Sequence, residues 1–169
     1  MVRLAASGPH YDRRVPRRSA GILLYRRREP QPEVLLVHPG GPLWARRDEG
    51  AWSVPKGEYE PDEDALGAAR REFHEELGLA PPDRPAIDLG EVRQKSGKLV
   101  RAWAVEGDLD ADRVVSNTCM VQWPPRSGKL IEIPEVDRAE WLVVERARPK
   151  INPAQEALLD RLLETVPVG

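Results

Sequence analysis

The sequence predicts one mixed α/β domain, read either as α+β or as an α/β sandwich, and three observations carry that expectation. Short apolar runs of strand length open the domain and return in its second half. One helix-forming stretch separates the two groups of strands, and another ends the chain. The regular alternation of strand and helix that marks a doubly wound sheet is missing. A chain of 169 residues suits a single domain with its own core.

Residues 1–16 mix Gly, Pro, Arg and Ser without periodicity and are expected to form a loosely held tail, with the domain running over 17–165. The runs 19–25 and 33–38 are apolar and bounded by charge, Pro and Gly, which suits two buried strands. Arg13, Arg14, Arg17 and Arg18 before the first run, with Arg26, Arg27 and Arg28 after it, read as its solvated flanks. Pro39, Gly40, Gly41 and Pro42 end the second run and open a loop through Gly50. An extended piece at 52–57 then enters a further loop at 58–62. Residues 63–77 hold good helix formers and no proline, with Gly78 placed as the C-cap. Further strands are expected at 86–92, 99–105, 114–123 and 140–144, with a turn at 124–128. Asn152 and Pro153 suit the N-cap and first residue of a terminal helix reaching about Leu163.

Charge and composition exclude several function classes. With 26 basic and 28 acidic residues the formal net charge is -2, so the chain has no electrostatic footprint for a long nucleic-acid strand. Cys119 is the only cysteine; it has no partner for a disulfide or zinc site and is expected in the core. No segment reaches the ~20 apolar residues of a membrane span, and residues 1–8 carry no signal-peptide core, so a cytoplasmic location without membrane partners is expected. His10, His38 and His74 are scattered without metal-ligand spacing, and Ser127-Gly128-Lys129-Leu130 lacks the first glycine and the terminal Ser/Thr of a phosphate loop.

The central helix carries the chemistry. On a wheel of ~100° per residue, Leu66, Phe73 and Leu77 form an apolar stripe, and Glu72, Glu75 and Glu76 share a neighbouring face. Ala65, Ala68 and Ala69 stand upstream on that acidic face and are expected to leave room for a ligand. Carboxylates at this spacing repel one another, and a hard divalent cation removes the repulsion. Magnesium takes oxygen ligands, keeps several waters and is commonly shared with substrate phosphates. Arg71, four residues before Glu75, is placed to steady the acidic face, and Gly57 lets the backbone turn its carbonyl toward a metal. Taken alone, the helix reads better as a salt-bridged surface helix than as a metal site.

The whole span from Gly57 to Leu79 settles that choice. Gly57, Glu63, Arg71, Glu72, Phe73, Glu75, Glu76, Gly78 and Leu79 match G-x5-E-x7-R-E-U-x-E-E-x-G-U, with U apolar, and so resemble the signature of the Nudix hydrolases at all nine specified positions. From residue frequencies such a match arises by chance on the order of 10⁻⁹ per start position. Phe73 stands where the family usually has an aliphatic residue. The resemblance implies an α/β/α sandwich with a mixed β-sheet over roughly residues 17–165. It also implies magnesium-dependent hydrolysis, with manganese as the alternative ion, of a nucleoside diphosphate linked to another group. By position in the signature, Glu72, Glu75 and Glu76 would hold metal with the Gly57 carbonyl. Glu75 would be a catalytic carboxylate, and Arg71 and Glu63 its supports. The acid that activates water often lies outside the helix in this family, which points to Glu132 or Glu135; Glu135 stands six residues before Trp141, as in diadenosine polyphosphate hydrolases.

The approach to the signature, Trp52-Ser53-Val54-Pro55-Lys56-Gly57, is similar to the W-x-x-P-K-G of diadenosine polyphosphate and diphosphoinositol phosphate hydrolases, and makes Lys56 a phosphate contact. Trp44, Arg46 and Arg47 on the glycine-bearing loop are candidates to close on phosphates or a base. Trp103 is a further candidate to stack on a base, against a role as core filler. The ADP-ribose mark is absent, since Lys95 occupies the place of its proline, and so is the downstream tyrosine of many diadenosine polyphosphate hydrolases. The expected substrate is a small nucleotide, with a dinucleoside polyphosphate ahead of a nucleoside triphosphate. A nucleotide sensor without catalysis is the competing class, and the expected assembly is a monomer or homodimer.

Overall fold

The computed structural model describes residues 15–166, so most of the tail expected at 1–16 lies outside the described residues. Strand β1 (Arg18–Arg26) is buried at every position from 19 to 25. Such a run, without polar alternation, is what a strand covered on both faces requires. Strand β2 (Glu33–Pro39) returns antiparallel, with Tyr25 opposite Val34. The two strands then diverge. The short β3 (Lys56–Glu58) fills the opened edge, pairing Ala20 with Gly57 and Gly21 with Lys56. Gly21 tolerates this approach because the Pro55 carbonyl and the Lys56 side chain occupy the space a Cβ would need.

Helix α1 (Ala65–Leu77) follows, capped by the Asp64 carboxylate on the Gly67 N–H at 2.9 Å and ended by Gly78 at φ 68°. Strands β4 (Ala86–Arg93) and β5 (Leu99–Glu106) pair antiparallel, and β5 lies parallel to β1 along its length. Strands β6 (Thr118–Gln122) and β7 (Leu130–Pro134) form a separate two-stranded hairpin, and β8 (Val136–Val143) closes the main sheet against β2. The order β4-β5-β1-β2-β8, with β3 beside β1, is therefore a mixed sheet.

Side-chain alternation along the strands divides the core into two layers. On one face, Ile22, Leu24, Leu35, Trp103 and Val105 meet Phe73 and Leu77 of α1. On the other, Leu23, Leu36, Val100 and Leu142 meet α2 (Val144–Lys150) and α3 (Glu156–Thr165) through Ala147, Leu158 and Leu162. Sheet between helical layers is the α/β/α sandwich that the resemblance implied.

Several local expectations are corrected. Ala68 and Ala69 do not leave room for a ligand; both are buried against the sheet, where their small side chains let α1 approach it closely. The strand expected at 114–123 is confined to Thr118–Gln122, after a 3₁₀ turn at Ala111–Arg113. Its partner β7 and the helix α2 had no counterpart in the sequence reading, and β8 begins at Val136 rather than 140. Pro149 inside α2 masked that helix. The terminal helix starts as a 3₁₀ turn at Pro153–Gln155, with the Asn152 side chain accepting from the Ala154 N–H as its cap. Cys119 is half-buried in the hairpin, not in either core. His74 is exposed. No helix among the described residues is long and apolar enough to cross a membrane.

Candidate active site

The site forms where β3 enters the split between β1 and β2 and α1 packs across it. Glu72 lies directly over Gly57: a methyl group there would overlap the Glu72 carboxylate, so only glycine fits. Glu76, one turn on, accepts the Lys56 backbone N–H at 3.2 Å. Arg71 donates to Glu63 and Glu72, each at 3.0 Å, and stands 3.5 Å from Glu75 in the expected i,i+4 pair. The guanidinium thus braces one side of the cluster, and Glu63 anchors the guanidinium.

Glu135 comes from the link between β7 and β8. Its N–H donates to the Asn117 carbonyl at 2.8 Å, and its own carbonyl accepts from Gly40 at 3.1 Å. Asn117 donates in turn to the Glu75 carbonyl at 3.3 Å, so the C-terminal turn of α1, the hairpin and the loop after β2 are stitched together around this carboxylate. Glu132 alternates to the other side of β7 from Ile133 and faces away from the site.

The electrostatics show how crowded the acids are. Burial pushes the Glu76 carboxyl up to about 8 against the pull of Lys56, and Glu135 and Glu72 add to the rise. Glu72 is raised by burial and by Glu75, with Arg71 opposing. Glu135 is raised by partial burial and by Glu75. Lys56 is pressed down by burial, with the nearby Lys98 contributing. Four carboxylates that repel one another, gathered on one Gly57-floored ledge, are an oxygen donor set of the hard kind that magnesium or manganese takes. Among the described residues no three His, Cys, Asp or Glu side chains stand close enough together to hold a metal ion by themselves. An open set suits an ion that keeps waters and shares its remaining positions with phosphate.

Beside this ledge opens a cavity of about 370 Å³. Glu76 and Glu135 stand at its acidic end, and Trp44 belongs to its wall. Of the other residues expected to bind substrate, Lys56 is in the cluster, whereas Arg46 and Arg47 are exposed on the loop and do not line the cavity. Arg47 instead lies 5.3 Å over the Trp44 ring, and its carbonyl is bonded to the buried His38 Nε2 at 2.6 Å. Trp103 is apart from this cavity: it is 6 % exposed in the α1-side core, under Arg101, beside a wider groove that also touches Arg71 and Glu63. Trp141 pairs within the sheet, donates to the Leu109 carbonyl at 3.0 Å and carries Arg26 over its ring.

Sequence reasoning missed the hairpin side of the cavity, namely Cys119, Val121, Trp123 and Ile133. A signal was present: Cys119-Met-Val121-Gln and Ile131-Glu-Ile133 alternate with period two around the turn Pro124-Pro125-Arg126-Ser127-Gly128.

The NUDIX domain model matches residues 15–162. An RNA pyrophosphohydrolase of Halorhodospira halophila is 51% identical over 67 residues, 38% of this chain and 36% of that protein. Diphosphoinositol polyphosphate phosphohydrolase 2 of Rattus norvegicus is 41% identical over 69 residues, 41% of this chain and 35% of that one. The chain spans about a third of the length of these curated relatives. A crystal structure of a C. elegans Ap4A hydrolase in a binary complex superposes with a TM-score of 0.62 at 21% identity, covering 88% of this chain and 97% of that one, which shows a shared fold. With a match over nearly its whole described length, and with the signature's acids gathered where the sheet splits, the chain belongs to the Nudix family.

Proposed function

We propose that this protein is a magnesium-dependent Nudix hydrolase that cleaves a phosphoanhydride bond of a nucleotide, with a dinucleoside polyphosphate as the preferred substrate class. The observation that carries the reading is the ledge of Glu72, Glu75, Glu76 and Glu135 over Gly57, opening directly into a small-molecule cavity. When bound, the ion neutralises phosphate charge and lowers the barrier to attack at phosphorus. Glu72, Glu75 and Glu76 would hold it, with the Gly57 carbonyl. Lys56 offsets the charge of the acids and of an incoming phosphate. Arg71 keeps Glu72 and Glu75 oriented through its three carboxylate contacts. Glu135, held by its backbone at the cavity mouth, is the base: a water oxygen bonds to phosphorus, the bond to the bridging oxygen breaks, and the water proton passes to the Glu135 carboxylate.

A second reading has its own support. The 51% identical stretch is shared with an RNA pyrophosphohydrolase, which favours the 5′-phosphate chain of an RNA end as substrate. Both readings use the same acids and differ in what lies beyond the phosphates.

The test is a magnesium-containing panel of diadenosine tetraphosphate, nucleoside triphosphates, a diphosphoinositol polyphosphate and a 5′-triphosphorylated oligoribonucleotide, with products identified. Cleavage of the tetraphosphate to AMP and ATP is expected. Glu135→Gln should lower kcat by ~10²- to 10⁴-fold, and Glu76→Gln should abolish turnover. Full activity in both variants, or no turnover of any member by the wild type, would sink the proposal.

A further inference from the structure

The acids explain one end of the cavity; its remaining walls do no phosphate chemistry. They come from two elements facing each other: Leu43 and Trp44 on the loop after β2, and Cys119, Val121, Ile133 and Trp123 on the hairpin. The hairpin register puts Cys119 opposite Ile133 and Val121 opposite Ile131, with Met120, Gln122 and Glu132 exposed between them. A two-stranded sheet outside the main sheet thus turns its half-buried apolar side toward a cavity rather than a core. No lysine or arginine lines that cavity, and its ionisable members besides the thiol are Glu76 and Glu135. A polyanionic head group filling these walls would meet no cationic side chain. A flat uncharged ring would meet hydrocarbon and indole, with Gln122 at the rim for its polar edge.

We propose that this cavity is a base-binding site, in which the hairpin and the loop after β2 hold one heterocyclic base of the substrate, with Trp44 and Trp123 as its aromatic walls. The site therefore selects base-bearing diphosphates over polyphosphorylated polyols. This inference rests on the phosphoanhydride-hydrolase reading for its place in catalysis, but its central claim is about binding and can be tested without turnover.

Cys119 is the only cysteine in the chain and lines the cavity, so its modification by a small thiol reagent reports whether the cavity is filled. With the full chain in magnesium, saturating AMP should slow modification several-fold, while ribose 5-phosphate and inositol hexakisphosphate should not. Trp123→Ala should raise the AMP concentration for half-protection by ~10-fold, as loss of one base-stacking surface predicts, and Trp123→Phe should restore it. The ratio of kcat/KM for a nucleotide to that for base-free 5-phosphoribosyl diphosphate should fall by a similar factor in Trp123→Ala. Equal protection by AMP and ribose 5-phosphate, or an unchanged ratio, overturns the base site while leaving hydrolysis intact. Protection by AMP in a protein that hydrolyses no diphosphate supports the base site and overturns the hydrolase reading instead.

Discussion

Gly57 shows how much one absent side chain determines here. Its hydrogen is the floor on which the Glu72 carboxylate rests, and any Cβ would stand where that carboxylate is. Gly57→Ala should therefore push Glu72 off the ledge and remove one of the oxygen donors proposed to hold the metal. Because the displaced group is half-buried and next to water, the fold should survive. The expected result is a loss of at least ~10²-fold in kcat/KM, comparable to the loss of a transition-state contact of ~2.7 kcal/mol. Far-UV circular dichroism should be unchanged. Wild-type kinetics in that variant would show that Glu72 has no role at the ledge. Arg71 is the complementary case at this scale. Its value lies in orienting two acids through exposed contacts, and exposed ion pairs contribute little to stability.

At the scale of elements, the position of β3 depends on groups far away in the chain. The stretch leading into it is bonded to the C-terminal region: Trp52 donates to the Lys150 carbonyl at 3.0 Å, and Asn152 donates to the Trp52 carbonyl at 2.7 Å. Gln155, fully buried, accepts the Val54 N–H at 3.0 Å and exchanges contacts with the Ser53 hydroxyl. That amide completes the backbone bonding of a segment that has no strand partner of its own at Val54. Gln155→Leu should leave the Val54 N–H unsatisfied in the core and destabilise the protein by ~1–3 kcal/mol, read as a lower urea midpoint. It should also raise KM, because Lys56 and Gly57 follow directly. A variant with an unchanged midpoint would mean that the amide is dispensable. The loop after β2 is held similarly, by His38 between Asp137 Oδ1 at 2.9 Å and the Arg47 carbonyl at 2.6 Å.

For the molecule as a whole, the acids are a mutually repelling cluster, which the proposed ion would relieve. Glu72, Glu76 and Glu135 are each disfavoured as carboxylates by burial and by one another. Binding of magnesium or manganese to the folded state alone should raise stability, by ~2.7 kcal/mol at a hundredfold excess over Kd. That corresponds to a Tm gain of roughly 5–11 °C for a chain of this size. The gain should shrink sharply in Glu72→Gln/Glu76→Gln and reverse on chelation. An equal rise in wild type and double variant would place the ion elsewhere.

The buried strands, the C-cap of the central helix and its acidic face were legible in the sequence because each depends on neighbours within a few residues. Gly78 ends the helix, and residues 72, 75 and 76 share a face by periodicity alone, whereas the N-cap at Asp64 emerged only in the structure. The signature from Gly57 to Leu79 extended that reading to the family. What the sequence could not determine depends on contacts between distant segments. The two alanines faced the sheet rather than a ligand because α1 lies on β1. Trp103 entered the core, and Trp44 the cavity, according to which side of the sheet each strand or loop presented. The sequence by itself determined which acids share a helix face. Only the tertiary structure, by splitting β1 from β2 and swinging a hairpin across the gap, decided that those acids meet Glu135 at the end of an apolar cavity, because that meeting is fixed by packing between segments as far apart in the chain as Gly40 and Glu135 rather than by any local periodicity.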